Sequence, residues 1–253
     1  IESVNIENLS DQRLLLLDGE EILGAMQNRV AASTYFIETK SKLRIPTICV
    51  EQGRWEAEGS NGPFFSGHSV SYPTLRAMLA KGSFKTHRRV DPQKNQDMVW
   101  QEIERKLSAT KVSSFTSSMH DIYEQLTDNI NSYLEDTKMI DDACGLIASA
   151  SNKFLALDLF GSNQIFKIFK EKLLRSYALD AIEHQDRPTS VPERLSEKIF
   201  ANLINAKVTK VRSIGLGSEY RFSGRNFLGK ALVYNSDDRK QEQLLHLAVF
   251  PNR

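Results

Sequence analysis

Apolar and polar positions follow three regimes along this chain. In the N-terminal quarter, short apolar runs from Val4 to Glu7, Arg13 to Leu17, Arg29 to Ile37 and Arg44 to Glu51 read as strands. Asp18-Gly19 and Thr39-Lys40-Ser41-Lys42 supply turn chemistry between them. In the last of these strands a period of two puts Ile45, Thr47, Cys49 and Glu51 on one face and Pro46, Ile48 and Val50 on the other. Pro46 has no N–H to donate, which predicts an edge strand or an amide turned away from a neighbour. The stretch from Glu56 to Pro73, rich in Gly, Ser and Pro, reads as a loop.

The period then changes to that of helices. Met119, Ile122, Tyr123, Leu126, Ile130, Tyr133 and Leu134 have the three-and-four spacing of an amphipathic helix between Thr116 and Thr137, and Val99, Trp100, Ile103 and Leu107 mark a shorter one from Gln93 to Ser108. Gly82 to Asp91, polar and basic, reads as a connector. Leu146 to Ala150 and Phe154 to Phe160 suggest a hairpin turned by Asn152. A helix from a Ser162 cap to Glu183 follows, with Ile165, Phe166, Phe169, Leu173, Tyr177 and Ala181 inward. A further helix, Glu193 to Asn205, is expected to bury Leu195, Ile199, Phe200, Leu203 and Ile204. Strands return at Val208 to Ile214, Tyr220 to Ser223, Phe227 to Tyr234 and Leu244 to Phe250.

The order is therefore β, mainly α, then β. A doubly wound nucleotide fold would alternate strand and helix throughout. The expected class is α+β, with N-terminal and C-terminal antiparallel β units flanking a mainly helical middle. The whole chain, 1–253, reads as a single domain with sub-regions 1–55, 72–137, 144–183 and 193–253.

Composition narrows the function classes. With 33 basic and 32 acidic side chains the net charge is +1, so no global field draws the chain to nucleic acid or an anionic membrane. No apolar run approaches the roughly 20 residues that cross a bilayer. Cys49 and Cys144 are the only cysteines and lie in unrelated contexts, which fits a reducing, cytoplasmic setting better than a disulfide framework. The first residue is Ile1, already inside a strand-like pattern, which implies residues upstream.

No phosphate loop, zinc spacing or nucleophile elbow is present. The chemistry-bearing residues instead sit at strand ends. Asp18, Glu20 and Glu21 form an acidic turn, and Glu51 closes a strand that could lie beside it. Clustered carboxylates serve acid–base work or hold a hard, divalent cation; the bland alternative is a solvated turn. Gln27, Asn28 and Arg29 can hydrogen-bond an amide edge or a phosphate, or cap a strand. Arg54 and Trp55 suit an anion beside a stacked ring, or ordinary packing. Cys49 reads as an inert buried thiol. His68, His87, His120, His184 and His246 show no metal-ligand spacing, and His68 alone lies in the loop that follows Trp55. Gly215-Leu216-Gly217 with Arg212, Arg221 and Arg225 can cradle an anion or turn a strand. The basic stretch Lys81, Lys85, His87, Arg88, Arg89 and Lys94 has only Phe84 interleaved and reads as a solvated linker.

Taken together, Leu14 to Glu21, Gln27-Asn28-Arg29, Cys49 to Trp55, Leu173 to Tyr177 and His246 to Phe250 resemble the bacterial and archaeal ARPP domain, the ARG and rhodanese-phosphatase-superfamily-associated family, over nearly the whole chain. Members of that family usually carry a further N-terminal stretch. The resemblance implies no established activity; the name reflects gene association with ADP-ribosylglycohydrolases and rhodanese-like phosphatases, hence a setting near ADP-ribose or NAD-derived metabolism. It also implies one site. Glu51 or Glu20 would be the general base, Arg29 and Arg54 would hold phosphate, Trp55 would stack, and Asp18, Gln27 and Asn28 would complete the ligand contacts. Met26 stands where members often have Lys, which weakens any scheme that needs a cation there. The rival expectation is a non-catalytic scaffold whose exposed helices bind a partner protein or a second copy.

Overall fold

The computed structural model of the chain describes residues 3–54, 64–84, 92–150, 153–184, 194–235 and 241–252. Among these are thirteen strands and six helices, and every strand pair is antiparallel. The N-terminal strands are β1 (Ser3–Asn8), β2 (Leu14–Leu16), β3 (Glu20–Gly24), β4 (Arg29–Ala31), β5 (Tyr35–Ile37), β6 (Ser41–Cys49) and β7 (Phe64–Val70). They form a five-stranded sheet ordered β1-β6-β4-β3-β7 and a β2-β5 ribbon. The helical middle holds α1 (Pro73–Phe84), α2 (Pro92–Thr110), α3 (Met119–Gln125) and α4 (Thr127–Asp136). The hairpin β8 (Gly145–Ala150) and β9 (Lys153–Phe160), α5 (Asn163–Ile182), α6 (Arg194–Ile204), β10 (Lys207–Arg212), β11 (Ser218–Ser223), β12 (Phe227–Tyr234) and β13 (Gln243–Pro251) follow. The second sheet runs β10-β11-β12-β13-β9-β8.

The α+β class with strand-rich ends holds, and the differences are local. The acidic stretch opens a strand: Glu20 and Glu21 begin β3, where the expectation was a turn. Part of the expected Glu56–Pro73 loop is β7, which the apolar period misses because its outer positions Phe65, Ser66 and His68 face solvent. Pro46 lies in an interior strand. On one side β4 stops at Ala31, opposite Thr47, and on the other Ser3 of β1 stands opposite Pro46. The long amphipathic helix is two, broken where Leu126 leaves helical geometry (φ −99°, ψ 14°). Ser162 caps α5 as expected, accepting from Ile165 N at 3.3 Å. In α6, however, Phe200 and Ile204 are exposed, and only Ile199 and Leu203 are half-buried among the residues expected inward; the Leu195 side chain lies outside the described set.

One core packs Val30 and Val50 of the first sheet against Tyr72, Leu75, Ile103, Met119, Tyr123 and Leu179 of the helical layer. A second packs Ala80 and Tyr177 against Leu228, Ala248 and Phe250 of the other sheet. Helix α1 thus sends Leu75 to one core and Ala80 to the other. That places Arg76, in its first turn, between the sheets.

Candidate functional site

The eight nominated residues divide among separate places. Gln27, Asn28, Glu51 and Arg54 meet at a junction made by the β3–β4 turn, the end of β6 and the linker into α3. Asp18 joins a buried seam between the two sheets. Glu20 accepts from Leu17 N at 2.9 Å and pairs with Lys172 of α5 at 2.5 Å. Arg29 is buried and donates to Thr47 Oγ1 at 3.2 Å. Trp55 lies outside the described residues, as do His87, Arg88 and Arg89 of the basic stretch.

At the junction the Glu51 carboxylate is fully engaged. Arg54 Nε donates to both of its oxygens at 3.0 Å, Asn28 N donates to Oε2 at 2.9 Å, and Thr116 Oγ1 donates to Oε1 at 2.9 Å. A carboxylate offers about four lone-pair positions, so Glu51 has no acceptor left for a substrate proton. Arg54 Nη2 reaches Asn28 Oδ1 at 2.9 Å, and among the described residues its Nη1 makes no hydrogen bond, on a side chain that is 29% exposed. Gln27 is buried, with Nε2 donating to the Glu51 and Gln52 carbonyls at 2.8 and 3.3 Å. Those carbonyls fix the amide orientation, because a flipped amide would set oxygen against oxygen. Gln27 Oε1 is then a buried acceptor without a partner.

The seam is built differently. Arg76, fully buried, donates to Asp18 at 3.0 Å and to Asp158 at 2.7 and 2.8 Å. Tyr177 Oη donates to Asp158, and His246 Nε2 lies 2.8 Å from Asp158 Oδ1. His246 Nδ1 is 2.9 Å from Thr34 Oγ1, and the ring stacks on Phe160. Burial pushes the Asp158 carboxyl up, but the charge and hydrogen bonds of Arg76 outweigh it and hold the group far below the ordinary carboxylate range; Asp18 is lowered in the same way. Beside it, burial drives Lys230 downward, partly offset by Glu219.

Asp18, Asp158 and His246 place their ligand atoms within 4.8 Å of one another, a metal-like grouping. The guanidinium of Arg76 already bridges the two carboxylates, and His246 Nε2 must carry a proton to face Asp158, so it has no lone pair to give. Thr34, His246 and Asp158 also form the hydroxyl–imidazole–carboxylate order of nucleophilic triads. All three are buried, and Asp158 is shared with Arg76 and Tyr177, so the chain ties the sheets together. Apart from Asp18, the seam's residues carry no spacing motif that would nominate them. A usable signal existed: Arg76, Asp158 and His246 are single polar residues inside apolar runs, which is how a buried, paired charge looks in sequence.

Other candidates resolve simply. Cys49 is buried and burial raises its thiol, as expected of an inert cysteine. Gly217 (φ +89°) turns β10 into β11, so the glycine pair serves a strand turn. A cleft of about 470 Å³ between α6 and the second sheet, lined by residues including Phe154, Ile199 and Phe227, holds none of the nominated residues and no carboxylate.

A family model described as the ARG and Rhodanese-Phosphatase-superfamily-associated Protein domain matches residues 1–250. The chain belongs to this family. Comparison with curated proteins and with solved structures gave no match. The ARPP match spans the first sheet, the helices and the second sheet, so both the junction and the seam lie inside the domain. No helix among the described residues is long and apolar enough to cross a membrane.

Proposed function

We propose that this ARPP domain binds a phosphorylated, nucleotide-derived small molecule of the ADP-ribose or NAD type at the junction, in the cytoplasm. The observation that carries the reading is the state of Arg54. Its Nε and Nη2 edge is anchored by Glu51 and Asn28, while among the described residues Nη1 has no partner on a partly exposed side chain. A guanidinium fixed in advance loses little freedom when it meets an anion. Glu51 positions this fork. Gln27 Oε1 adds a fixed acceptor suited to a ligand hydroxyl or amino group.

A thermal-shift titration with ADP-ribose, NAD, AMP and inorganic phosphate, with and without magnesium, tests the reading. The expected result is a saturable rise in Tm that Arg54→Ala removes, since a ligand that binds only the folded state stabilises it by mass action. A magnesium-dependent rise would assign a divalent cation to the bound phosphate. A rise unchanged in Arg54→Ala overturns the site. No rise with any ligand moves the weight to the scaffold reading, which the exposed Phe200 and Ile204 of α6 and Val208 of β10 favour with a second copy as occupant.

A further inference from the structure

Four residues beyond Thr116, in the first turn of α3, stands a second polar pair that lies outside the eight nominated residues. His120 Nδ1 lies 3.3 Å from Glu21 Oε2. Glu21 is 1% exposed, and its Oε1 is buried without any partner. Strand β7 crosses directly above it: a Cβ on Gly67 would lie 2.6 Å from Glu21 Oε2. The pair adjoins the junction through both of its elements. Ser118, between Thr116 and His120, bridges to Glu51, and the β3–β4 hairpin that carries Glu21 also carries Gln27 and Asn28.

The carboxylate at Nδ1 requires N–H there, which leaves the lone pair of the imidazole on Nε2. Among the described residues that nitrogen makes no hydrogen bond; exposed Glu124 has a carboxylate oxygen 3.8 Å away. The His120 side chain is 26% exposed, so Nε2 is reachable while Glu21 is not. This is the arrangement of a base held by an orienting carboxylate. Unlike the His246 chain in the seam, it has an accessible end and an unfilled buried acceptor.

We infer that His120, positioned by Glu21, is the proton-transfer group of the junction and that the bound phosphate ester is hydrolysed there. Nε2 takes a proton from a water molecule; the O–H bond breaks, its electron pair stays on oxygen, and that oxygen attacks phosphorus. As the P–O bond to the leaving group breaks, the leaving oxygen takes the proton back from Nε2. The inference rests on the ligand reading of the junction.

Modification by diethyl pyrocarbonate, mapped by peptide mass, tests it, with exposed His68 on β7 as internal reference. ADP-ribose at ten times its dissociation constant should slow modification of His120 about tenfold and leave His68 unchanged, because only the unoccupied fraction reacts. In nitrogen NMR, Glu21→Gln should abolish the Nδ1–H preference of His120 while ligand-induced stabilisation persists; a merely structural pair would not couple these signals to ligand protection. If ADP-ribose raises Tm but His120 is modified at the same rate, the inference fails and the ligand reading stands. If ADP-ribose produces no Tm rise, the ligand reading fails and the inference with it.

Discussion

The seam and the junction both gather buried carboxylates around an arginine, yet they differ in closure. In the seam each oxygen of Asp18 and Asp158 has a donor, and Arg76 is wholly enclosed. Around the junction, Gln27 Oε1 and Glu21 Oε1 are buried without partners, while Arg54 and His120 each present a nitrogen outward. A saturated polar network has no use for a ligand and serves to fix the fold; an incomplete one at a partly open place is what a binding site looks like before its ligand arrives.

The comparison can be broken from either side. The largest effect should come from Arg76→Met, which strands two buried carboxylates; removing one partner of a buried charge cluster costs about 3–5 kcal/mol. Urea denaturation should show that loss, whereas Arg54→Ala, at a partly exposed pair, should cost at most about 1 kcal/mol. Equal losses would erase the distinction between the two regions. Next comes Gly67→Ala. Its methyl meets the Glu21 side chain rather than open space, so about 1–3 kcal/mol of overpacking is expected. The His120 modification rate should change in the same variant, and an unaltered rate would mean that Glu21 does not set the position of His120.

The smallest effect, and the most diagnostic, is the direction of pH dependence. The Asp18 and Asp158 carboxyls are depressed in the fold, so their contribution is present above the usual value near 3.8 and is lost as pH falls below it. His120 is raised above 6.5, first by its hydrogen bond to Glu21, so that pair's contribution is complete below 6.5 and is lost as pH rises through the folded value. Stability measured against pH should therefore lose its alkaline decline in Glu21→Gln and keep its acid decline. Loss of the acid decline instead would assign the wrong carboxylates.

The sequence carried the β, α, β order because period two and period three-to-four are local signals. It also brought Gln27, Asn28, Glu51 and Arg54 to notice as polar groups at strand ends. It could not say that Asp18 faces away from them. That depends on α1, which the sequence places only within the helical region 72–137 and without an inward face for Arg76, and on β9 and β13, which lie far along the chain. Beyond its place in the closing His246 to Phe250 stretch, His246 was legible only as a histidine without spacing, since its partners Asp18, Thr34, Asp158 and Phe160 come from three separate segments. His120 fell inside a helix whose apolar face explained everything except the carboxylate waiting across from it.

Between Leu17 and Ile22 the backbone makes one left-handed step at Gly19 (φ +77°), where an added Cβ would meet Arg76 Cγ at 2.9 Å. On either side of that step Asp18 answers to the far sheet, Glu20 to Lys172 of α5, and Glu21 to His120 of α3. Three neighbouring acidic residues thus address three different elements, the far sheet, α5 and α3, and their order works as an address label. Deleting a single residue here would leave the composition of the stretch almost untouched and misdeliver every charge, so this short segment should tolerate conservative replacement far better than any change of length.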